Sequence, residues 1–265
     1  MQSDRIAELL QPFLPVPLVE SQLQAISTYI DILLRWNARI NLTAVRQPEE
    51  IVTRHFGESL FAARHLFPEA EPPNAPARQS ILRPPQPSAA FEPSGEKNST
   101  RLVDIGSGAG FPGLPIKIWS PHTHVTLIES NHKKASFLRE ISRTLTLTDV
   151  DVFSGRAEDF QASADPVTLR AVERFEHVLP IAANLVAPHG RLALLIVRRQ
   201  MDSLAKIAPT FQWSEPVPIP LSEARILLIG HRVLSPVIKI WTNQDCNSGP
   251  TAATFARSST VLSGQ

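Results

Sequence analysis

The chain has 265 residues, with 26 Lys and Arg against 25 Asp and Glu and a formal net charge of +1. That length allows one full core with a smaller appendage, and the balanced charge excludes a uniformly basic nucleic-acid binder, so such a partner would have to be met by local patches. The single cysteine, Cys246, excludes an internal disulfide framework and a cysteine-rich zinc site. No run of about 18 apolar residues is present, and the first residues carry Asp4 and Glu8 instead of a basic flank and an apolar stretch. A soluble, unexported, cytoplasmic protein is expected, with no membrane partner and no metal.

Residues 1–67 read as a small helical unit. Leu23, Ile26, Ile30, Leu33 and Leu34 recur at helical spacing, and so do Ile51, Val52, Phe56, Leu60, Ala63 and Phe67. Pro48 suits the first turn of the second helix, where an N–H would be unpaired anyway, and Glu49 and Glu50 complement the positive end of the helix dipole. Residues 68–99 follow as a linker or extended loop, since eight of the chain's 24 prolines fall from Pro68 to Pro93 among Ser, Ala, Asn and Glu.

Residues 100–235 change character. Short apolar runs at 101–105, 124–129, 150–154, 167–171, 192–197 and 226–231 predict strands. Helical patterns fall at 133–145 and 173–186, with room for one more helix between the first two strands. Strands alternating with helices imply an α/β fold of the Rossmann-like kind, a mostly parallel doubly wound sheet. Residues 236–265 are expected to be poorly ordered, because their Ser-, Thr- and Ala-rich end has little periodicity.

The first strand runs into glycines: Val103-Asp-Ile-Gly-Ser-Gly-Ala-Gly110. Gly106, Gly108 and Gly110 allow a tight turn and a close backbone approach, which is how such a loop cradles a cofactor. Gly108, Gly110 and Gly113 also satisfy the G-x-G-x-x-G fingerprint of dinucleotide enzymes, so the glycines do not decide the ligand. Asp104 would set a carboxylate where a cationic amino-acid moiety is held and a pyrophosphate repelled. Pro112 and Pro115 remove N–H groups that should bind phosphates. Both features favour S-adenosylmethionine over a nicotinamide or flavin, with a ligand-free structural turn as a third reading. Glu129, 23 residues after Gly106, is the expected acceptor for ribose hydroxyls under either ligand.

A wider set of motifs resembles one family. Leu34-Arg-Trp-Asn37, Asn41-Leu-Thr43, Arg54-His55, the loop from Val103 through Gly110-Phe-Pro-Gly-Leu-Pro115, Glu129-Ser130, residues 133–138, Gly155-Arg-Ala-Glu158 and Arg170-Ala171 stand in the order seen in the RsmG, or glucose-inhibited division protein B, family. These are bacterial 16S ribosomal RNA guanine-N7 methyltransferases. The resemblance runs from about residue 20 to 233 and implies S-adenosyl-L-methionine as cofactor and 16S ribosomal RNA or the small ribosomal subunit as partner. It implies that Gly106 and Phe111 contact the cofactor, that Ala157 and Glu158 meet the adenine, and that Arg170 lies near cofactor and RNA. Val197-Arg-Arg199 stands where the family usually has Leu-Lys-Gly, which keeps the positive charge and loses the glycine.

Guanine N7 carries a free lone pair, so its attack on a sulfonium methyl needs no general base, and no proton-transfer residue is expected. N7 is hidden in the deep groove of A-form RNA, which calls for an unstacked or loop guanine. A donor such as Arg170 could hold O6 while leaving N7 free. RNA contacts are expected from Arg54, Lys133, Lys134, Arg139, Arg170, Arg198 and Arg199. His55 and Trp36 read as packing residues. Two other classes stay open: a methyltransferase of this fold acting on a small molecule or protein, and an RNA-binding module with a decayed cofactor site.

Overall fold

The computed structural model describes residues 1–70, 100–172 and 174–233. Most of the expected linker, the expected tail and Cys246 lie outside the described residues, as does the first residue of the helix expected at 173–186. By internal contacts the described residues all fall within one compact unit.

This unit opens with α1 (Ser3–Leu10), α2 (Glu20–Asn37) and α3 (Pro48–Ile51), then a π-helical turn at Val52–Gly57, then α4 (Glu58–Leu66). Pro48 occupies the first turn of α3, as its missing N–H predicts. The second helical pattern is therefore not one regular helix. The π turn, a geometry that recurs at functional sites, carries Arg54 and His55. Its carbonyls take extra side-chain donors, Arg170 on Arg54 O at 2.7 Å and Ser59 on His55 O at 2.6 Å. α1 is an addition to the expected pair.

The second half runs β1 (Arg101–Ile105), α5 (Gly113–Trp119), β2 (His124–Ile128), α6 (His132–Thr144), β3 (Val150–Phe153) and β4 (Val167–Arg170). It closes with α7 (Phe175–Leu185), β5 (Arg191–Val197), α8 (Leu204–Ile207), β6 (Phe211–Trp213), β7 (Val217–Pro218) and β8 (Arg225–Arg232). The sheet order is β3-β2-β1-β4-β5-β8-β6, with β7 also on β8. The five strands from β3 to β5 are parallel, and β8 runs antiparallel to β5, β6 and β7. All six predicted strands are present within a residue or so of their expected ends. β6 and β7, three and two residues long, were not expected, because so short a run has no readable alternation.

Side chains alternate across each strand, and the alternation separates two cores. Leu102, Val125, Leu127, Ala193, Leu195 and Leu227 pack under α5, α6 and the N-terminal helices. Val103, Ile105, Val167, Leu169, Leu192, Leu194 and Leu228 pack under α7 and α8. The N-terminal helices thus share a core with one face of the sheet. Strand order reverses between β1 and β4, and the carboxyl ends of those strands diverge there into a crevice, the place where open α/β sheets bind ligands.

A candidate cofactor cleft at the strand ends

A cleft of about 670 Å³ opens at this reversal, within the size range of ligand pockets. Its lining includes Gly106, Ser107 and Gly108 after β1, Glu129 and Asn131 after β2, Ala157 and Glu158 after β3, Arg170 and Val172 after β4, and Thr43 and His55 from the N-terminal helices. Phe111 and Lys134 line it as well.

Gly106 and Gly108 sit at φ +67° and +56°, where a side chain is strained, so the backbone itself forms this wall. Glu129, buried to 7% exposure, accepts from Gly108 N–H at 2.9 Å and from Asn131 N–H at 2.8 Å. It braces the loop with one lone pair per oxygen and keeps acceptor capacity for hydroxyls. Asn131 in turn caps α6, its side chain accepting from Lys133 and Lys134 N–H at 3.0 and 3.2 Å.

The loop's amides decide between ligands. Gly106 and Ser107 N–H donate to Ile128 O, Gly108 to Glu129, Gly110 and Phe111 to Ser107 O, Gly113 to Asp104 and Leu114 to Gly110 O. Pro112 has none. Ala109 N–H, in the cleft lining, has no recorded acceptor, so a pyrophosphate would find one amide with the others spent and the Glu129 carboxylate facing it, whereas a zwitterionic nucleoside with a cationic centre and ribose hydroxyls fits.

Two expected cofactor residues are corrected. Asp104 does not line the cleft. Strand alternation turns its side chain onto the α5 face, where it accepts from its register partner Thr168 Oγ1 at 2.8 Å and from Gly113 N–H at 3.1 Å. Burial pushes its carboxyl up to about 6, against these hydrogen bonds. In this position Asp104 holds the glycine loop to α5. Gly110, at φ +87°, does not line the cleft either: a Cβ there would lie 2.3 Å from Tyr29 Oη and 2.7 Å from Leu114. Its role is close packing. Tyr29, the chain's single tyrosine, went unread as a site residue; it donates to Ala109 O at 2.5 Å and stacks on Phe111 at 5.5 Å.

Arg170 is only 11% exposed, and it bridges the halves of the fold. Its Nη2 lies 2.7 Å from Arg54 O, 3.0 Å from Glu58 Oε2 and 3.2 Å from His55 Nδ1. Glu58, 2% exposed, also pairs with Arg225 Nη1 at 2.6 Å. The expectation of Arg170 as a donor held out for the substrate is corrected to that extent, since this nitrogen is spent on protein acceptors. His55 stacks on Phe111 at 4.8 Å, and burial together with Arg170, Arg54 and Arg225 holds its ring down to about 3, hence neutral. Trp36, partly buried, packs edge-on to Phe137 at 5.7 Å against the core.

Of the expected RNA-contacting residues, Arg170 and Lys134 line the cleft. Arg54, Lys133, Arg139 and Arg198 do not: Arg54 pairs with Glu50 at 2.8 Å, and Arg139 reaches Val152 O on β3 at 3.3 Å. Arg199 lines an adjoining groove that shares Arg174 and His177 with the cleft. Arg156, Arg174 and His177 line the cleft unforeseen; Arg174 holds a left-handed conformation at φ +56°, a signal no sequence pattern carries. Among the described residues no helix is long and apolar enough to cross a membrane, and no group of three or more His, Cys, Asp or Glu could hold a metal ion.

The parallel sheet with its antiparallel edge, the glycine loop at the strand reversal and the Glu129 brace are those of a Rossmann-like methyltransferase that uses S-adenosyl-L-methionine. The family model described as rRNA small subunit methyltransferase G (GidB) matches residues 22–71 and 88–221. The ribosomal RNA small subunit methyltransferase G of Roseiflexus castenholzii is 36% identical over 223 residues, covering 79% of this chain and 83% of that one. That of Chloroflexus aggregans is 36% identical over 227 residues, covering 81% and 83%. A solved SAM-dependent methyltransferase from Aquifex aeolicus is similar at a TM-score of 0.43 and 15% identity over 52% of this chain and 85% of that one. The chain belongs to the rRNA small subunit methyltransferase G, or GidB, family.

Proposed function

We propose that the protein transfers the methyl group of S-adenosyl-L-methionine to N7 of a guanine in 16S ribosomal RNA, in the cytoplasm, acting on the RNA itself or on the small ribosomal subunit. The observation that carries this reading is the composition of one cleft. A glycine wall braced by Glu129 opens on the same space as the polar residues Thr43, His55, Arg170 and Arg174. The relatives' names supply the class of RNA.

In this reading Gly106 and Gly108 let the cofactor approach the main chain, Glu129 accepts from the ribose hydroxyls, Ala157 and Glu158 meet the adenine, and Phe111 covers an apolar face. The bound cofactor supplies an electrophilic methyl on a sulfonium that leaves as a neutral thioether. The protein's task is then positioning, holding N7 about 3 Å from the methyl carbon and in line with the departing sulfur. No base is required, and His55, neutral and engaged at both ring nitrogens, is not free to be one. Lys134 and Arg174 at the mouth, with Arg54, Lys133, Arg139, Arg198 and Arg199 beyond it, neutralise RNA phosphates. Residues 1–67 form the substrate side and residues 100–235 the cofactor-binding core.

The test is transfer of labelled methyl from S-adenosyl-L-methionine to 30S subunits lacking this modification, with Gly106→Asp and Glu129→Ala as controls. Label at N7 of one guanine, lost in both variants, is the expected result. No transfer to RNA by a protein that binds the cofactor would overturn the assignment in favour of a small-molecule or protein acceptor.

A further inference from the structure

The cleft carries unpaired cations on two sides. On the first side α2 ends and α6 begins. Asn37 at the end of α2 folds the loop that follows, its Oδ1 accepting from Leu42 and Thr43 N–H at 2.9 and 3.0 Å, and both of these residues line the cleft. Asn131, which caps α6, lines it too. Trp36 and Phe137 join the two helices edge-on at 5.7 Å. Arg39 stands in the turn that closes α2, three residues after Trp36, and Lys133 and Lys134 stand four and three residues before Phe137. Residues at that spacing share a helix face, so α2 followed forward and α6 followed backward from the aromatic contact reach the same rim, and both carry positive charge there. Arg39 and Lys133 are exposed and Lys134 lines the cleft; among the described residues none of the three side chains has a recorded partner.

The second side is reached from the ends of β4 and β5, which pair with Arg170 opposite Leu195. The segments leaving these strands carry Arg174 and Arg199. Arg174 and His177 line both the cleft and a groove of about 790 Å³ that continues from it, and Arg199 lines the groove alone. The turn holding Arg199 is pinned by Gln200, whose side chain accepts from Val197 N–H at 3.0 Å, and by Ser203, whose hydroxyl donates to Gln200 O at 3.1 Å. Glu176 and Asp202 line the same groove, yet among the described residues neither Arg174 nor Arg199, both exposed, has a recorded ion pair. In the sheet order β2, which leads into α6, and β5 lie on opposite sides of the reversal between β1 and β4. The two cationic rims therefore flank the cleft from opposite sides.

We propose that the two rims are the ends of one track for a single RNA strand, which passes Arg39, Lys133 and Lys134 on one side, turns its target guanine into the cleft, and passes Arg174 and Arg199 on the other. The inference rests on the proposed guanine-N7 activity and deepens it by fixing the path of the substrate. The 5′ and 3′ neighbours of the guanine then lie on different rims. N7 is out of reach in a paired A-form helix, so the strand crossing the cleft is unpaired there, and cations on both sides hold its backbone while the base turns inward. Glu176 and Asp202 repel phosphate and accept from base amino groups, so in the groove the flanking base meets the carboxylates while its phosphate meets the guanidiniums.

The test places the photo-crosslinker p-benzoylphenylalanine in the full chain, either in place of Asp202 in the groove or in place of Ala38 beside Arg39; both residues are exposed, and neither side chain has a recorded hydrogen bond. Each variant is irradiated with 30S subunits lacking the modification, and the crosslinked nucleotides are located by reverse transcription. The expected result is crosslinks on opposite flanks of the guanine that the wild type methylates. Crosslinks from both positions on one flank, in a distant part of the RNA, or only to ribosomal protein overturn the inference. A second readout uses Arg39→Ala and Arg199→Gly, with cofactor protection against thermal unfolding reporting on folding. Each should weaken binding of the subunit and lower the slope of log Kd against log salt by about 0.7, the value of one single-strand phosphate contact. Slopes unchanged in both folded variants overturn the track alone; a wild type that methylates no guanine N7 overturns the proposed function and the inference with it.

Discussion

Glu58 on α4 accepts from Arg170 at the end of β4 across 3.0 Å, and the two residues are 112 positions apart. A second guanidinium, Arg225 at the start of β8, shares the same carboxylate at 2.6 Å. The pairing ties α4 to both β4 and β8. Removing one partner of a buried pair leaves the others uncompensated, which typically costs about 3 kcal/mol or more. Glu58→Ala should therefore lower the urea-unfolding free energy by about 3 kcal/mol. A loss below about 0.5 kcal/mol, the level of an ordinary surface change, would show that the network is not a structural tie.

The glycine loop separates packing from ligand approach. Gly108 has φ +56° and no atom nearer than 3.7 Å to an added Cβ, whereas Gly110 has φ +87° with Tyr29 Oη at 2.3 Å. Gly108→Ala should cost about 1 kcal/mol of stability from backbone strain and weaken cofactor binding. Gly110→Ala adds overpacking of about 1–3 kcal/mol and should lower the melting temperature more. Equal melting temperatures for the two variants would contradict this division.

Asp104 makes a prediction about pH. Its carboxyl titrates at about 6 in the fold against 3.8 when free. A raised folded pKa means that the native state holds the proton more tightly, so this group's contribution is fully present below pH 3.8 and is lost as pH rises through about 6. The loss is on the order of 3 kcal/mol. Asp104→Asn cannot titrate, so the stability of wild type relative to this variant should fall as pH rises from 4 to 6 in urea unfolding. A flat difference would mean that Asp104 is ionised without penalty.

Because all but one of the loop's amides are spent internally and the Glu129 carboxylate faces the cleft, S-adenosyl-L-methionine should protect the protein and a nicotinamide dinucleotide should not. At a hundredfold excess over Kd a ligand bound only to the native state adds about 2.7 kcal/mol. Glu129→Ala should abolish most of that shift, and protection by the dinucleotide in differential scanning fluorimetry would refute the ligand assignment.

The strands of the sheet were legible because each is a run of apolar residues that must fill both faces, and the glycine loop because positive φ demands glycine. β6 and β7 were not, since they pair with β8 through backbone groups that leave little trace in so few side chains. The π turn at Val52–Gly57 keeps the apolar spacing of a helix and so hid within it. Asp104 was read as a ligand because its position along β1 suggested the tip of the strand; which face it takes follows from the alternation of its neighbours Val103 and Ile105, both buried on the α7 side.

By itself the sequence determined the Rossmann-like class, the family and the location of the cofactor loop, all of which depend on residues close together in the chain. Only the tertiary structure decided which charged groups reach the cleft and which nitrogens and oxygens remain free there. Arg170, Glu58, His55 and Thr43 each acquire their hydrogen-bonding role from a partner on another element. Burial and proton position are properties of the assembled neighbourhood, and no spacing along the chain encodes them.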